Sequence, residues 1–273
     1  MVKTLLGGLG LGLACAWALQ LPVWAGTTPE TRAGTQADTR RVVRIGVVTP
    51  GDRELVEAAS ASNEGGTVQL QAISLPGIAE VRKALHARRI DASIADDGQS
   101  LAGDASACTV AYTVTYPMGL YADKIAALRQ VPVNAVIAIP ANRADQGRAL
   151  LLLQNHGLIR IDGEAGLQPQ VSDIVDNPRK LRFERLPVQR LPAALRRSAL
   201  VALPYAAADA AGLAPARDAL GIEDARVPWA NVLAVRAADC RADWVAPTVK
   251  ALHSPAVKSF ILTRFNDSVR RPW

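Results

Sequence analysis

The residues best suited to chemistry in this chain lie in the run Gly147-Arg148-Ala149-Leu150-Leu151-Leu152-Leu153-Gln154. An apolar stretch, residues 135–139, precedes it and reads as a short buried strand ended by Pro140. A polar loop, residues 141–146, joins the two, and the leucine run is a strong helix former. Asp145 is expected to cap that helix, since its side-chain oxygen can accept from N–H groups two or three residues on. Gly157 is expected to close it. On this reading Arg148 lies in the first helical turn. A helix N-terminus favours an anion, so a cation there opposes the dipole. The position makes sense if the guanidinium grips an anion with both arms; the plain alternative is a solvated arginine at a helix start.

Other chemistry is weakly represented. The chain has no Gly-rich phosphate loop, no His-Glu-x-x-His pair and no nucleophile elbow. His86, His156 and His253 have no metal-ligand spacing to one another or to a cysteine, and read as surface histidines. The expectation is therefore no enzyme, no cofactor and no metal. The net charge of +6 is modest for 273 residues, and basic residues are spread out. With aromatics at only 4%, stacking surfaces for bases are scarce, so nucleic-acid binding is not suggested.

The elements that must position Arg148 follow a leader. Lys3 is the only charge before Glu30, and residues 5–23 are almost wholly apolar. Val23-Trp24-Ala25 offers a cleavage site before Gly26, which defines residues 1–25 as a signal peptide. Two alternatives stay open: an uncleaved membrane anchor, and lipidation at Cys15, since Leu11-Gly12-Leu13-Ala14-Cys15 resembles a lipobox. Cleavage is preferred because the residues after Cys15 stay apolar, where a lipoprotein tether is normally polar. Each version places the protein at the extracytoplasmic face of the inner membrane or in the periplasm. Residues 26–41 read as a flexible linker.

From residue 42 the chain alternates. Strands are expected at 42–48, 67–73, 90–94, 135–139, 181–186, 199–203 and 232–235, with extended segments at 108–116 and 118–121. Helices are expected at 52–61, 78–87, from Arg148, at 191–197, and at least once within 244–264. Strands alternating with helices predict α/β layers with parallel pairing, and ligands in such sheets bind beyond strand carboxyl ends.

Several segments carry a family resemblance. Tyr116-Pro-Met-Gly-Leu-Tyr-Ala-Asp-Lys-Ile125, Gly147-Arg-Ala-Leu-Leu-Leu-Leu-Gln154, Asp173-Ile-Val-Asp-Asn-Pro-Arg-Lys-Leu181, Gly212-Leu-Ala-Pro215 and Pro228-Trp-Ala-Asn231 are similar to the methionine-binding lipoprotein (NlpA-type) family of ABC-transporter substrate-binding proteins. The resemblance implies a two-lobed periplasmic binding protein fold, each lobe a mixed sheet flanked by helices. Residues 42–122 plus 228–273 would form lobe 1, and 123–227 lobe 2. It implies a monomer that holds methionine or a related small zwitterionic amino acid between the lobes, and an inner-membrane ABC permease as partner. It assigns Arg148 to the ligand carboxylate, with Tyr116 and Asn231 as further cleft residues. It does not require a disulfide; Cys108 and Cys240 would both fall in lobe 1, where they can pair in an oxidising compartment.

The chain also departs from the family. Where relatives carry aromatic residues that wall the methionine side chain, it reads Ala95-Asp96-Asp97-Gly98-Gln99-Ser100. The loop before Gly147 and the position of Pro204 have lost the family's asparagines. Asp96, Asp97 and Asp145 are new carboxylates that can receive an ammonium; Asp97 and Asp145 join the candidate ligand set. The alternative is a degenerate fold that serves as a structural or interaction protein without the family's ligand. Arg148 is expected to matter for recognition, its removal leaving the fold nearly as stable.

Overall fold

The computed structural model describes residues 40–273. The expected signal peptide, Cys15 and nearly all of the expected linker lie outside the described residues.

Apolar, β-branched segments become central strands because both of their faces can be covered. Strand β1 (Arg41–Val47) buries Val43, Ile45 and Val47 completely. It leads to α1 (Pro50–Ala61), whose N-cap Thr49 accepts a hydrogen bond from the Asp52 N–H. Then come β2 (Val68–Ser74), α2 (Ile78–His86), the short β3 (Ala92–Ser93) and β4 (Ala107–Tyr112). The middle of the chain supplies β5 (Gly119–Tyr121), β6 (Val136–Pro140), α3 (Arg143–Asn155), β7 (Arg160–Ile161), β8 (Ile174–Asp176) and β9 (Arg182–Leu186). It continues with α4 (Leu191–Ala194), β10 (Leu200–Leu203), α5 (Tyr205–Ala210), α6 (Pro215–Asp218) and β11 (Gly221–Ile222). Finally β12 (Val232–Arg236) precedes α7 (Val245–Leu252) and α8 (Pro255–Arg264). Ser254 separates the last two helices by capping α8 through the Val257 N–H.

Among the described residues the strands form two five-stranded sheets, ordered β2-β1-β3-β12-β4 and β11-β5-β10-β6-β9, plus a two-stranded β7-β8 ribbon. Each large sheet is mixed. Pairings through βα units are parallel, as β1 with β2 and β6 with β9. Strands entering at a crossover run the other way: β12 is antiparallel to β3 and β4, and β5 to β10 and β11. The chain passes from the first sheet to the second between Tyr112 and Gly119 and returns between Ile222 and Val232. The outward crossing thus comes earlier than the expected boundary after residue 122, because β5 pairs in the second sheet.

Each sheet has its own apolar core. Val43, Ile45, Leu55, Val56, Leu233 and Ile261 belong to the first, and Leu120, Ile137, Ile139, Leu150, Leu153 and Leu200 to the second. Burying a side chain of this size is worth roughly 1.5–3 kcal/mol. Cys108 on β4 and Cys240 form a disulfide across 132 positions of sequence, with Cα atoms 5.8 Å apart. His253 is packed rather than free: it stacks on Trp273 at 4.3 Å. Among the described residues no helix is long and apolar enough to cross a membrane.

Candidate functional site

Helix α3 starts earlier than expected, and this moves Arg148. Asn142, not Asp145, is the N-cap: its Oδ1 accepts from the Asp145 N–H at 2.9 Å. The Asn142 Nδ2 in turn donates to Asp145 Oδ2 at 2.9 Å. Asn142 is extended while Arg143 and Ala144 are already helical, so Asp145 occupies the third helical position and Arg148 the second turn. Gly157, at φ +70°, follows the last turn as expected. Gly147 lets α3 touch backbone: a Cβ there would meet Gln168 Cα at 2.9 Å. That contact holds Leu167 and Gln168 beside Arg148.

The Arg148 guanidinium already has a carboxylate. Nε donates to Glu223 Oε1 at 3.1 Å, and Nη2 donates to Oε2 at 2.6 Å and to the Tyr116 carbonyl at 3.2 Å. Nη1 reaches Asp145 Oδ1 at 3.4 Å. Glu223 also accepts from the Met118 N–H at 2.7 Å. The side chains of Arg148 and Glu223 are 17% and 3% exposed, so this is a buried pair. It ties the outward crossover at Tyr116 and Met118 to the return crossover at Glu223. Burial acts to lower the Arg148 pKa, but the hydrogen bonds and charge of Glu223, aided by Asp145 and Asp97, hold it above the usual value. Glu223 was not legible as a site residue: it is one of two adjacent acids after a two-residue strand, 75 positions from its partner.

Tyr116 is also occupied. Its hydroxyl donates to Asp52 Oδ1 at 2.8 Å, and Asp52 accepts a second bond from the Thr49 hydroxyl at 2.6 Å. Burial, together with the charge and hydrogen bonding of Asp52, pushes the Tyr116 phenol well above its ordinary pKa. Burial likewise raises the Asp52 pKa, against the hydrogen bonds from Thr49 and Tyr116. The ring packs on Tyr205 and Phe265, with centroids 5.1 and 6.3 Å away. Asn231 holds the return crossover to the first sheet: its Nδ2 donates to the Ile94 carbonyl at 3.2 Å and its backbone bridges Asp97. Asp97 Oδ1 accepts from the Ser100 N–H at 2.6 Å. Asp96 is buried against Arg82, with Nη2 to Oδ1 at 2.6 Å, so it is not free to receive a ligand.

Tyr116, Arg148, Asn231, Asp97 and Asp145 all line one cavity of about 500 Å³. The loop after β3 contributes Ala95, Asp97, Gln99 and Ser100; α3 contributes Ala144, Asp145 and Arg148; the return crossover contributes Trp229 and Asn231. Ile78, Leu167 and Trp229 are its larger apolar walls. Trp229 lies under the guanidinium, with its ring centre 5.4 Å from Arg148 Cζ. A second cavity, about 420 Å³, shares Tyr116 and Arg148 and is walled by Tyr205 and Phe265. Among the described residues no group of three or more His, Cys, Asp or Glu side chains can hold a metal ion.

Two mixed sheets flanked by helices and joined by two crossovers define the two-lobed fold of periplasmic binding proteins. Residues 43–273 match the family described as NlpA lipoprotein, and the chain belongs to that family, one of non-enzymatic substrate-binding proteins. The D-methionine-binding lipoprotein MetQ of Escherichia coli K12 is 29% identical over 245 residues, covering 85% of this chain and 88% of that protein. The probable D-methionine-binding lipoprotein MetQ of Vibrio cholerae is 28% identical over 267 residues, covering 93% and 97%. Among solved structures, a nutrient binding protein from Burkholderia cenocepacia bound to methionine superposes with a TM-score of 0.69. It is 30% identical and covers 85% of this chain and 100% of that one.

Proposed function

We propose that this protein is the extracytoplasmic substrate-binding component of an ABC importer. It holds a small amino acid or related zwitterion in the cavity at Arg148 and delivers it, as a monomer, to an inner-membrane permease. The lobes are residues 41–112 with 232–273, and residues 119–222. One observation carries the reading: five residues from the loop after β3, both crossovers and α3 meet around a volume suited to a small molecule. Membership of a substrate-binding family supports it, and relatives named for methionine binding support an amino-acid ligand. The Cys108–Cys240 disulfide supports an oxidising, extracytoplasmic setting.

Methionine itself fits this cavity poorly, because the wall beside Asp97 is built from Ala95, Gln99 and Ser100. With no aromatic on that wall, and only Trp229 and Tyr116 elsewhere in the cavity, a thioether loses on the order of 1–3 kcal/mol of burial. A second reading has one observation in its favour: with Glu223 already in its fork, Arg148 has no need of a ligand. On that reading the fold is a structural or interaction module. A thermal-shift screen of the purified protein against amino acids separates the two. A true ligand raises the melting temperature by mass action, in proportion to the logarithm of its concentration over Kd. The substrate-binding reading expects at least one small amine-bearing compound to do so, with methionine weak or silent. A screen flat across every amino acid and amine would favour the structural module.

A further inference from the structure

Resting on the substrate-binding reading above, we infer that the cavity at Arg148 selects a small organic cation, recognised by its ammonium groups, over a net-neutral amino acid. The charged side chains that line the cavity are Asp97, Asp145 and Arg148. The one cation among them is already neutralised inside the protein, since Glu223 fills its fork with bonds of 3.1 and 2.6 Å. The next cation, Arg82, is held by Asp96 at 2.6 Å. Among the described residues Asp97 therefore faces the cavity with no ion-pair partner, and Asp145 has only a long share of the arginine that Glu223 already holds.

Their oxygens are only partly used. Asp97 Oδ1 accepts one backbone N–H, from Ser100. Asp145 accepts from Asn142 on Oδ2 and from Arg148 Nη1 on Oδ1, the latter at a long 3.4 Å. An ionised carboxylate can accept about four hydrogen bonds, so capacity remains for an ammonium's three donors. The field reaches the centre of the site: Asp97 and Asp145 both contribute to holding Arg148 protonated. Trp229 and Tyr116 add aromatic surface to the same cavity, which suits an ammonium on its methylene stem. A plain amino acid brings its carboxylate toward a guanidinium that offers only Nη1, beside Asp145. A dibasic amino acid or a diamine instead brings an ammonium to Asp97 and to the carboxylate capacity that the long Arg148 contact leaves on Asp145.

Calorimetry of the purified protein with four probes tests this: L-lysine, 1,5-diaminopentane, the neutral isostere L-norleucine, and L-glutamate. Lysine and the diamine are expected to bind at least about tenfold more tightly than norleucine, with glutamate weakest, and their affinity should fall as salt is raised. Lysine tighter than the diamine assigns the carboxylate to Arg148 Nη1; the reverse order assigns a pure polyamine-type ligand. Asp145→Asn and Asp97→Asn should each weaken the cation about tenfold, and norleucine, which brings only its α-ammonium, by clearly less. Folding of each variant is checked by circular dichroism, and if Asp97→Asn does not fold, Asp145→Asn decides. Glu223→Gln, which frees the Arg148 fork, should move preference toward norleucine. Norleucine or methionine binding as tightly as lysine would overturn the cation selection while leaving a substrate site. Silence from all four probes, in a protein that melts cooperatively, would overturn the cation selection and count against the substrate site as well.

Discussion

Replacing Arg148 by alanine is expected to cost about 3–5 kcal/mol of folding stability, as well as ligand affinity. The reason is Glu223. Its side chain is 3% exposed, and in the native protein its charge is matched by two guanidinium bonds and the Met118 N–H. Truncating the arginine leaves that carboxylate buried without a cation. This reverses the expectation drawn from sequence, in which Arg148 served recognition alone. The pair Arg148→Met with Glu223→Gln should recover most of the loss, because a buried ion pair replaced as a unit is often close to neutral. Urea unfolding of the single and double variants measures both effects. A single variant within about 0.5 kcal/mol of the parent would show that the pair is solvated and contributes little.

Removing the disulfide should rank second. Cys108→Ser with Cys240→Ser is expected to lower stability by about 2–5 kcal/mol, through the freedom returned to an unfolded loop spanning 132 positions. The bridge has a local role too. It fastens β4, at the edge of the first sheet, to the segment just after its partner β12, where Cys108 faces Val235 in register. Losing it should loosen that edge first, and β4 amides should exchange faster with solvent than those of β1. A thiol titration of the unreduced, denatured parent sets the baseline. Two free thiols there would remove the premise; unchanged urea midpoints in the double variant would remove the conclusion.

The legible parts of the fold were those with strong periodicity. β1, β6, β10 and the leucine face of α3 announce themselves through apolar runs, since both faces of each strand are covered. Less legible was the choice between two good caps in one loop. Asn142 and Asp145 are both suitable, and only the helical backbone at Arg143 shows that the first one wins. The strand expected at 90–94 shortens to Ala92–Ser93, and just before it the Asp91 carboxylate accepts the Arg44 backbone N–H at 2.9 Å as well as the guanidinium. Likewise β5 reads as a continuation of the first lobe, yet it pairs with β10 and β11. Such long-range pairing leaves no local trace.

At the candidate site, all five residues singled out from the sequence line one cavity, but the partners that limit them were invisible. Asp52 spends the Tyr116 hydroxyl and Ile94 takes the Asn231 amide. Glu223 takes the Arg148 fork. Residue types showed what each group can bind; only the fold shows what is already bound.

The most direct test of the central claim is native mass spectrometry of the protein recovered gently from a periplasmic extract. A substrate-binding protein of this kind should appear as a chain beginning at Gly26 that carries one small amine-bearing molecule. The molecule should be absent from Ala95→Trp, which fills the cavity beside Asp97. A bare chain under conditions that retain ligands, or an adduct that survives Ala95→Trp, would contradict the claim that this cavity holds the substrate.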